Sequence, residues 1–158
     1  MSEKKSTKFT RDDMLRVLSE EDTGVLCMSS NNAPYAVPVS YAIVDEKIII
    51  HCSKSGRKLD FIRANPNVCF CVSRHPDRAR PHHFDSECNY RYESVLYFGT
   101  ATIVEEPAER LEYLRNFKAH FDRIRSLDPS KGKIPDTAAE KVNIIAIAPE
   151  EMTGKRKG

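Results

Sequence analysis

A polar segment from Ser53 to Lys58 combines residue types that suit the binding of a phosphate group. It reads Ser-Lys-Ser-Gly-Arg-Lys, with two hydroxyls, three cationic side chains and one glycine. Leu59 and Ile62 follow at the spacing of one helix face, so the segment joins a strand to a helix. The N–H groups and partial positive charge of a helix start would add to the formal charges. The spacing is not that of a Walker motif, and composition alone leaves a solvated basic turn equally open.

His51 ends the apolar run before this segment and would lie beside the basic turn. An imidazole titrates near neutral pH, so His51 could contact a ligand or act as a general acid. Pattern alone favours a core-edge histidine that is bonded to a backbone carbonyl. On the preceding predicted strand, Pro38 lacks a backbone donor, which predicts an edge strand or a bend.

The sequence context of the cysteines indicates that they are buried, reduced thiols that act as small hydrophobic side chains. They are Cys27, Cys52, Cys69, Cys71 and Cys88, and the first four lie in apolar, strand-like runs. A zinc site could combine Cys88 with His82 and His83, but no CxxC pair supports one. We therefore predict no metal site.

Hydrophobic periodicity predicts six strands with two or three helices at their margins. The predicted strands are residues 24–29, 35–44, 47–52, 68–72, 95–104 and 142–148. Tight turns at Asn31-Asn32 and Asp45-Glu46 join the first three strands into an antiparallel meander. The fourth strand is apolar on both faces, which predicts a central or interface position. We expect a mainly β, antiparallel barrel, since a GxGxxG fingerprint and βα alternation are absent from the sequence.

The predicted helices cover about residues 11–20, a short segment at Leu59 and Ile62 that Pro66 ends, and a longer one from Pro107. A polar loop, residues 74–93, precedes the fifth strand and is long enough to suggest function or disorder. We read the basic residues after the last strand as a tail.

Length, charge and hydropathy bound the class of protein. The chain has 158 residues and a formal net charge of +2, which fits one domain and argues against a strongly basic nucleic-acid binder. No apolar run approaches the ~20 residues of a membrane span, and residues 1–8 do not form a secretory signal. We expect a soluble, cytoplasmic protein with a mobile polar leader at residues 1–9 and a single domain at residues 10–155.

Five stretches occur in the order and spacing of a known family. They are Gly24–Leu26, Pro34–Tyr41, Ile48–Ser53 with Gly56–Lys58, Tyr92–Ala101 and Met152–Lys155. Together they resemble the flavin-binding split-barrel proteins related to pyridoxamine 5′-phosphate oxidase, and most closely the nitroimidazole-resistance (Nim-like) branch. The resemblance spans residues 10 to 155.

The resemblance implies a six-stranded antiparallel split barrel that forms a homodimer and binds FMN at the subunit interface. The residues that would flank the isoalloxazine ring are Val39, Ser40 and Tyr41. Those that would line its other side and the ribityl chain are His51, Cys52 and Ser53. Those that would hold the phosphate are Lys54, Gly56, Arg57 and Lys58. Tyr92 and Ser94 would come from the partner subunit, and Lys155 would approach the cofactor or substrate.

The resemblance also implies an FMN-dependent oxidoreductase. We expect it to pass a hydride from reduced nicotinamide through the flavin to a small acceptor such as a nitroaromatic. His51 is the only nearby side chain with an unperturbed pKa near neutrality, so it is the candidate catalytic proton donor. The C-terminal Trp and Arg elements with which true oxidases grip pyridoxine phosphate have no clear counterpart, which argues against that substrate. Two alternatives stay open: a carrier of flavin, haem or deazaflavin without turnover, and a regulatory protein with an empty barrel.

Overall fold

The computed structural model describes residues 9–75 and 91–157, which form a mainly β structure. The strands are β1 (Thr23–Ser30), β2 (Ala33–Ser40), β3 (Ala42–Val44), β4 (Lys47–Cys52), β5 (Asn67–Arg74), β6 (Tyr92–Val104) and β7 (Asn143–Lys157). The helices are α1 (Arg11–Glu20), α2 (Arg57–Ala64), α3 (Pro107–Ile124) and α4 (Ala138–Lys141).

The strands form one antiparallel sheet in the order β2-β1-β5-β6-β7-β4-β3. The sheet curls until β2, at one edge, contacts β4, next to the other edge. The predicted antiparallel split barrel is confirmed. β5 lies between β1 and β6, so the prediction of a central position for this strand is also confirmed.

The predicted strand 35–44 is two strands that lie at opposite edges of the sheet. The break is at Tyr41, whose side chain is fully buried. Its N–H donates to the Asp22 carbonyl (3.0 Å) and its hydroxyl donates to the Leu18 carbonyl (2.7 Å). The predicted three-stranded meander is therefore wrong, because the β1–β2 and β3–β4 hairpins are not neighbours. The edge position predicted from Pro38 is confirmed for β2.

Two hydrophobic clusters explain why β4 is apolar at consecutive positions. Ile48 and Ile50 belong to the main core inside the barrel, where Tyr41 and Phe70 pack edge to face at 4.9 Å between ring centroids. Ile49 points the other way, into a second cluster with Leu114 of α3. Burial on both faces fixes the register of β4, because a one-residue slip would exchange the two environments.

The predicted basic tail is wrong, because residues 149–157 continue β7 and pair with β6. The pairing shifts register between Phe98 and Gly99, which leaves Glu150 without a partner in the ladder. A Cβ at Gly99 would lie 2.0 Å from the Ala148 carbonyl oxygen. Only glycine fits this bulge, which carries the strand onward to Lys157.

The helix signals are confirmed at Thr10, Pro66 and Pro107. Thr10 caps α1, Pro107 is the first residue of α3, and α2 ends at Ala64 before Pro66. Phe9, which we assigned to the leader, packs against the main core. The rest of the leader and residues 76–90, including His82, His83 and Cys88, lie outside the described residues. None of the described helices is long and apolar enough to cross a membrane.

Candidate functional site

The turn between β4 and α2 is built to accept an anion. Gly56 has φ +139°, which glycine adopts freely, and a Cβ there would meet no atom within 4 Å, so its backbone is open to a ligand. The N–H groups of Leu59 and Asp60 donate to the Gly56 carbonyl. Those of Arg57 and Lys58 precede them in the first turn, where an α-helix offers no acceptor. They can therefore donate to a bound anion.

The turn carries three positive charges, from Lys54, Arg57 and Lys58. In the parts of the chain that the structure describes, no carboxylate forms an ion pair with Lys54, Arg57 or Lys58. The Arg57 guanidinium instead lies over two aromatic rings, 4.9 Å from the Tyr35 centroid and 5.4 Å from the Phe61 centroid. Three cations without counter-ions, beside free N–H groups, favour a phosphate over a neutral ligand.

Asn143, at the start of β7, holds this turn in place. Its side-chain amide donates to the Lys54 carbonyl at 3.1 Å, and the residue is 8% exposed. It lies opposite Cys52 in the β4–β7 pairing. Sequence reasoning missed Asn143, although one polar side chain at the start of an apolar run was a signal. Its partner lies 89 residues away and could not be read from local pattern.

His51 lies beside the turn and faces α3. The His51 and Phe117 rings are nearly perpendicular, with centroids 4.6 Å apart. Although the residue keeps an exposed surface, burial lowers the pKa of His51, and the nearby charge of Lys58 lowers it further. The imidazole is therefore mainly neutral at neutral pH.

Cys52 points to the opposite side of β4, toward the main core. Burial raises the pKa of the Cys52 thiol, and the Lys58 charge offsets part of that rise. The charge of Lys58, in the first turn of α2, thus lowers the pKa of both groups at the end of β4. Ser53 and Lys54 are exposed in the turn between them.

The residues predicted to flank a flavin ring differ in which of their atoms are available to a ligand. Val39 packs against the main core, and Ser40 is half-buried opposite Thr23. The Tyr41 side chain is committed to its bond with Leu18, so a ligand could use only the backbone of Tyr41.

Tyr92, Ser94 and Lys155 lie far along the sheet from the basic turn. Ser94 pairs directly with Lys155. Val104 pairs with Ile144, next to Asn143 and the turn. Ten residues of β6 separate Ser94 from Val104, which is about 30 Å measured along the strand. One chain therefore brings Ser94 and Lys155 together but does not bring them to the turn.

The outer face of the sheet carries an apolar surface next to Ser94. We call it the outer patch, and its residues are Val25, Cys27, Cys69, Cys71, Leu96 and Phe98. Direct cross-strand pairing places Val25, Cys71 and Leu96 in one row and Cys27, Cys69 and Phe98 in the next. Leu96 is 39% exposed and Phe98 is 36% exposed. Adjacent exposed apolar side chains of this size are typical of an interaction surface.

The outer-patch thiols are half-buried rather than buried as predicted. Burial raises the pKa of Cys69 to about 11, with Cys27 and Cys71 nearby, so this thiol stays protonated at neutral pH. Within residues 9–75 and 91–157, no three His, Cys, Asp or Glu side chains are grouped so that they could hold a metal ion. The cysteines of the patch thus behave as small apolar groups.

The fold is a split barrel with a basic turn between its fourth strand and the following helix. Comparison with known proteins identifies the family to which this fold belongs. The family model described as pyridoxamine 5′-phosphate oxidase matches residues 10–156, and the chain belongs to this family. No curated protein matches the sequence significantly.

Solved structures with the same fold include three informative relatives. A protein from Bacteroides thetaiotaomicron named for 5-nitroimidazole antibiotic resistance has a TM-score of 0.73 and 20% identity, with 92% of this chain and 82% of that chain covered. An FAD-binding protein from Mesorhizobium loti has a TM-score of 0.68 and 20% identity, covering 94% and 96%. An FAD and haem binding protein from Mycobacterium smegmatis has a TM-score of 0.74 and 16% identity, covering 94% and 72%.

Proposed function

We propose that this protein binds FMN through the turn Ser53–Lys58 and reduces a small nitroaromatic or similar acceptor with electrons from reduced nicotinamide. The observation that carries the proposal is the charge of Lys54, Arg57 and Lys58, which no carboxylate among the described residues neutralises, beside the open backbone of Gly56. Family membership and relatives named for FAD binding and nitroimidazole resistance support it. The terminal phosphate of FMN is dianionic and suits three cations better than the singly charged phosphates of FAD do.

The residues of the site fit distinct parts of FMN. Arg57, Lys58 and the first N–H groups of α2 bind the phosphate, with Lys54 adding charge. Ser53 and Cys52 would line the ribityl chain. Val39, Ser40 and the backbone of Tyr41 would flank one side of the ring system, and His51 would line the other.

A bound flavin supplies two-electron chemistry, because it can take a hydride from a reduced nicotinamide and return the electrons to an acceptor. The balanced reaction converts a nitroarene, a reduced nicotinamide and one proton into a nitrosoarene, an oxidised nicotinamide and water. His51 provides a proton at the acceptor through its imidazolium form. Phosphate anchoring by Arg57 positions the distant ring against the acceptor. A reduced-nicotinamide reaction and free thiols favour a cytoplasmic location.

We further propose that a second copy of this chain covers the outer patch. Ser94 lies next to the patch on the same face of β6, about 30 Å along the strand from the basic turn of its own chain. A dimer formed through the outer patch would bury Leu96 and Phe98. It would also let Tyr92, Ser94 and Lys155 of one chain serve the site of the other.

FMN titration tests the phosphate anchor. Arg57→Ala removes one charge-assisted contact, which is worth about 1.5–3 kcal/mol, so the Kd for FMN should rise roughly 10- to 100-fold. Affinity for riboflavin, which has no phosphate, should not change. The matched control is Arg63→Ala, because Arg63 is an exposed arginine in the last turn of the same helix. A wild-type protein that binds no flavin would overturn the proposal. A wild-type protein that prefers FAD would show that the cofactor is FAD and not FMN.

Turnover assays distinguish an enzyme from a carrier. The FMN-loaded protein should oxidise reduced nicotinamide only when a nitroaromatic is present. Since burial and Lys58 lower the pKa of His51, the rate should increase as pH falls through that lowered pKa. His51→Gln should remove this pH dependence while leaving FMN bound. A loaded protein without turnover would support the carrier.

Light scattering after size exclusion tests the dimer. The wild type should have twice the 18.0 kDa mass of the chain. Leu96→Lys places a charge in the outer patch and should yield a monomer with reduced FMN affinity. Leu127 is 54% exposed and lies outside the patch, so Leu127→Lys should remain a dimer. A monomeric wild type would contradict the proposed interface.

A further inference from the structure

Arg57 is held by an aromatic pair that comes from two different elements. Tyr35 lies on β2 and Phe61 on α2, with ring centroids 5.1 Å apart and ring planes at 52°. Both rings are half-buried and pack against the main core, so they are anchored. The Arg57 guanidinium carbon lies 4.9 Å from the Tyr35 centroid and 5.4 Å from the Phe61 centroid.

This arrangement orders the guanidinium without neutralising it. A carboxylate partner would fix Arg57 but would cancel its charge and occupy its donors. An aromatic face attracts the cation through its quadrupole and leaves the N–H groups at the guanidinium edge able to donate in plane. Arg57 and Phe61 are four residues apart on α2, so the helix itself keeps this contact. Tyr35 adds a contact that only the folded barrel provides.

The stacking of Arg57 on two aromatic rings affects ligand affinity because Arg57 is an exposed residue at the start of a helix. A free arginine side chain populates many rotamers, and binding a phosphate would require their loss. A stacked arginine has already lost much of this freedom on folding, so more of the contact free energy is realised as affinity.

We propose that Tyr35 and Phe61 are positioning residues that pre-orient Arg57 and so set the preference for a phosphorylated flavin over riboflavin. The inference rests on the proposed function, since it assumes that the turn binds the FMN phosphate. It assigns to β2 a part in phosphate recognition, in addition to its place beside the ring system.

The test compares FMN with riboflavin as probes for the same set of variants. Tyr35→Leu should raise the Kd for FMN about two- to five-fold, the loss expected for an exposed cation–π contact, and leave the Kd for riboflavin unchanged. Tyr35→Phe keeps the ring and should retain the wild-type ratio of the two constants. Tyr113→Leu is the matched control, because Tyr113 is also half-buried but lies on α3 and packs against the second cluster.

The ratio of the two constants separates positioning from packing. A merely structural role for Tyr35 would weaken both ligands together and leave the ratio unchanged, which would overturn the inference. If Tyr35→Leu does not fold, Phe61→Leu provides the same comparison with the same expected fall in FMN preference. A wild type that binds FMN and gives an unchanged ratio in both variants refutes this inference alone. A wild type without flavin affinity refutes the proposed function as well.

Discussion

Replacing Asn143 should loosen the basic turn and weaken FMN binding selectively. Asn143→Ala removes the 3.1 Å hydrogen bond to the Lys54 carbonyl, the one side-chain bond from β7 to this turn among the described residues. A net hydrogen bond contributes about 0.5–1.5 kcal/mol. Lys54 is exposed, so water can replace the lost donor, and the free energy of unfolding should fall by only about 1 kcal/mol.

The same loss should be visible in affinity. Without Asn143, the ligand itself would have to order residues Lys54 to Gly56. The binding free energy would become about 1 kcal/mol less favourable, so the Kd for FMN should rise roughly fivefold. Riboflavin has no phosphate for Lys54 to Lys58 to hold and would reach only Ser53 of the turn, so it should bind as before. Flavin fluorescence titrations would measure both constants, and urea unfolding monitored by circular dichroism would measure stability.

A second carboxamide provides the control for this experiment. The Asn65 side chain donates to the Ser29 carbonyl at 3.0 Å at the other end of α2. Asn65→Ala should therefore lower stability at least as much as Asn143→Ala without changing FMN affinity. Equal loss of FMN affinity in both variants would refute the argument, since it would show that overall stability, and not the turn, controls binding. An unchanged FMN constant in Asn143→Ala would refute it equally.

Three further predictions concern the scaffold. Gly99→Ala places a Cβ 2.0 Å from the Ala148 carbonyl oxygen, so urea unfolding should show a loss of about 3 kcal/mol. Glu93→Gln removes the buried charge that Arg74 contacts at 2.7 Å, and should lower the unfolding free energy by about 1–3 kcal/mol. Burial lowers the pKa of His120, so the unfolded chain binds the proton more readily. Stability should fall as pH drops below about 6.5, and His120→Gln should reduce this dependence in unfolding midpoints.

Local sequence signals predicted the positions of most elements and the site turn. Thr10, Pro66 and Pro107 fix helix ends through their own backbone chemistry, which needs no tertiary partner. The segment Ser53–Lys58 was recognisable for the same reason, since its hydroxyls, charges and glycine are contiguous.

Features that depend on distant partners could not be predicted in this way. The run 35–44 has no local signal for a break at Tyr41, where the side chain bonds to Leu18, 23 residues away. The end of β7 resembles a solvated tail because its outward residues are charged, and only pairing with β6 makes it a strand. Tyr35 lies in one of the stretches that resemble the family, but its contact with Arg57 joins two elements that are distant in sequence.

The strand order has a consequence for how this chain folds as it is made. Among the described strands, the β3–β4 hairpin with its buried isoleucines pairs with the rest of the sheet only through β7. Because synthesis runs from the N-terminus, the strands β1, β2, β5 and β6 can assemble while this hairpin still lacks its ladder partner. The hydrogen bond from Asn143 to Lys54, which holds the proposed phosphate-binding turn, can therefore form only after residue 143 has been synthesised. Premature termination before residue 143 would leave an incompletely paired sheet with an exposed apolar edge. Quality-control proteases and chaperones bind species of this kind.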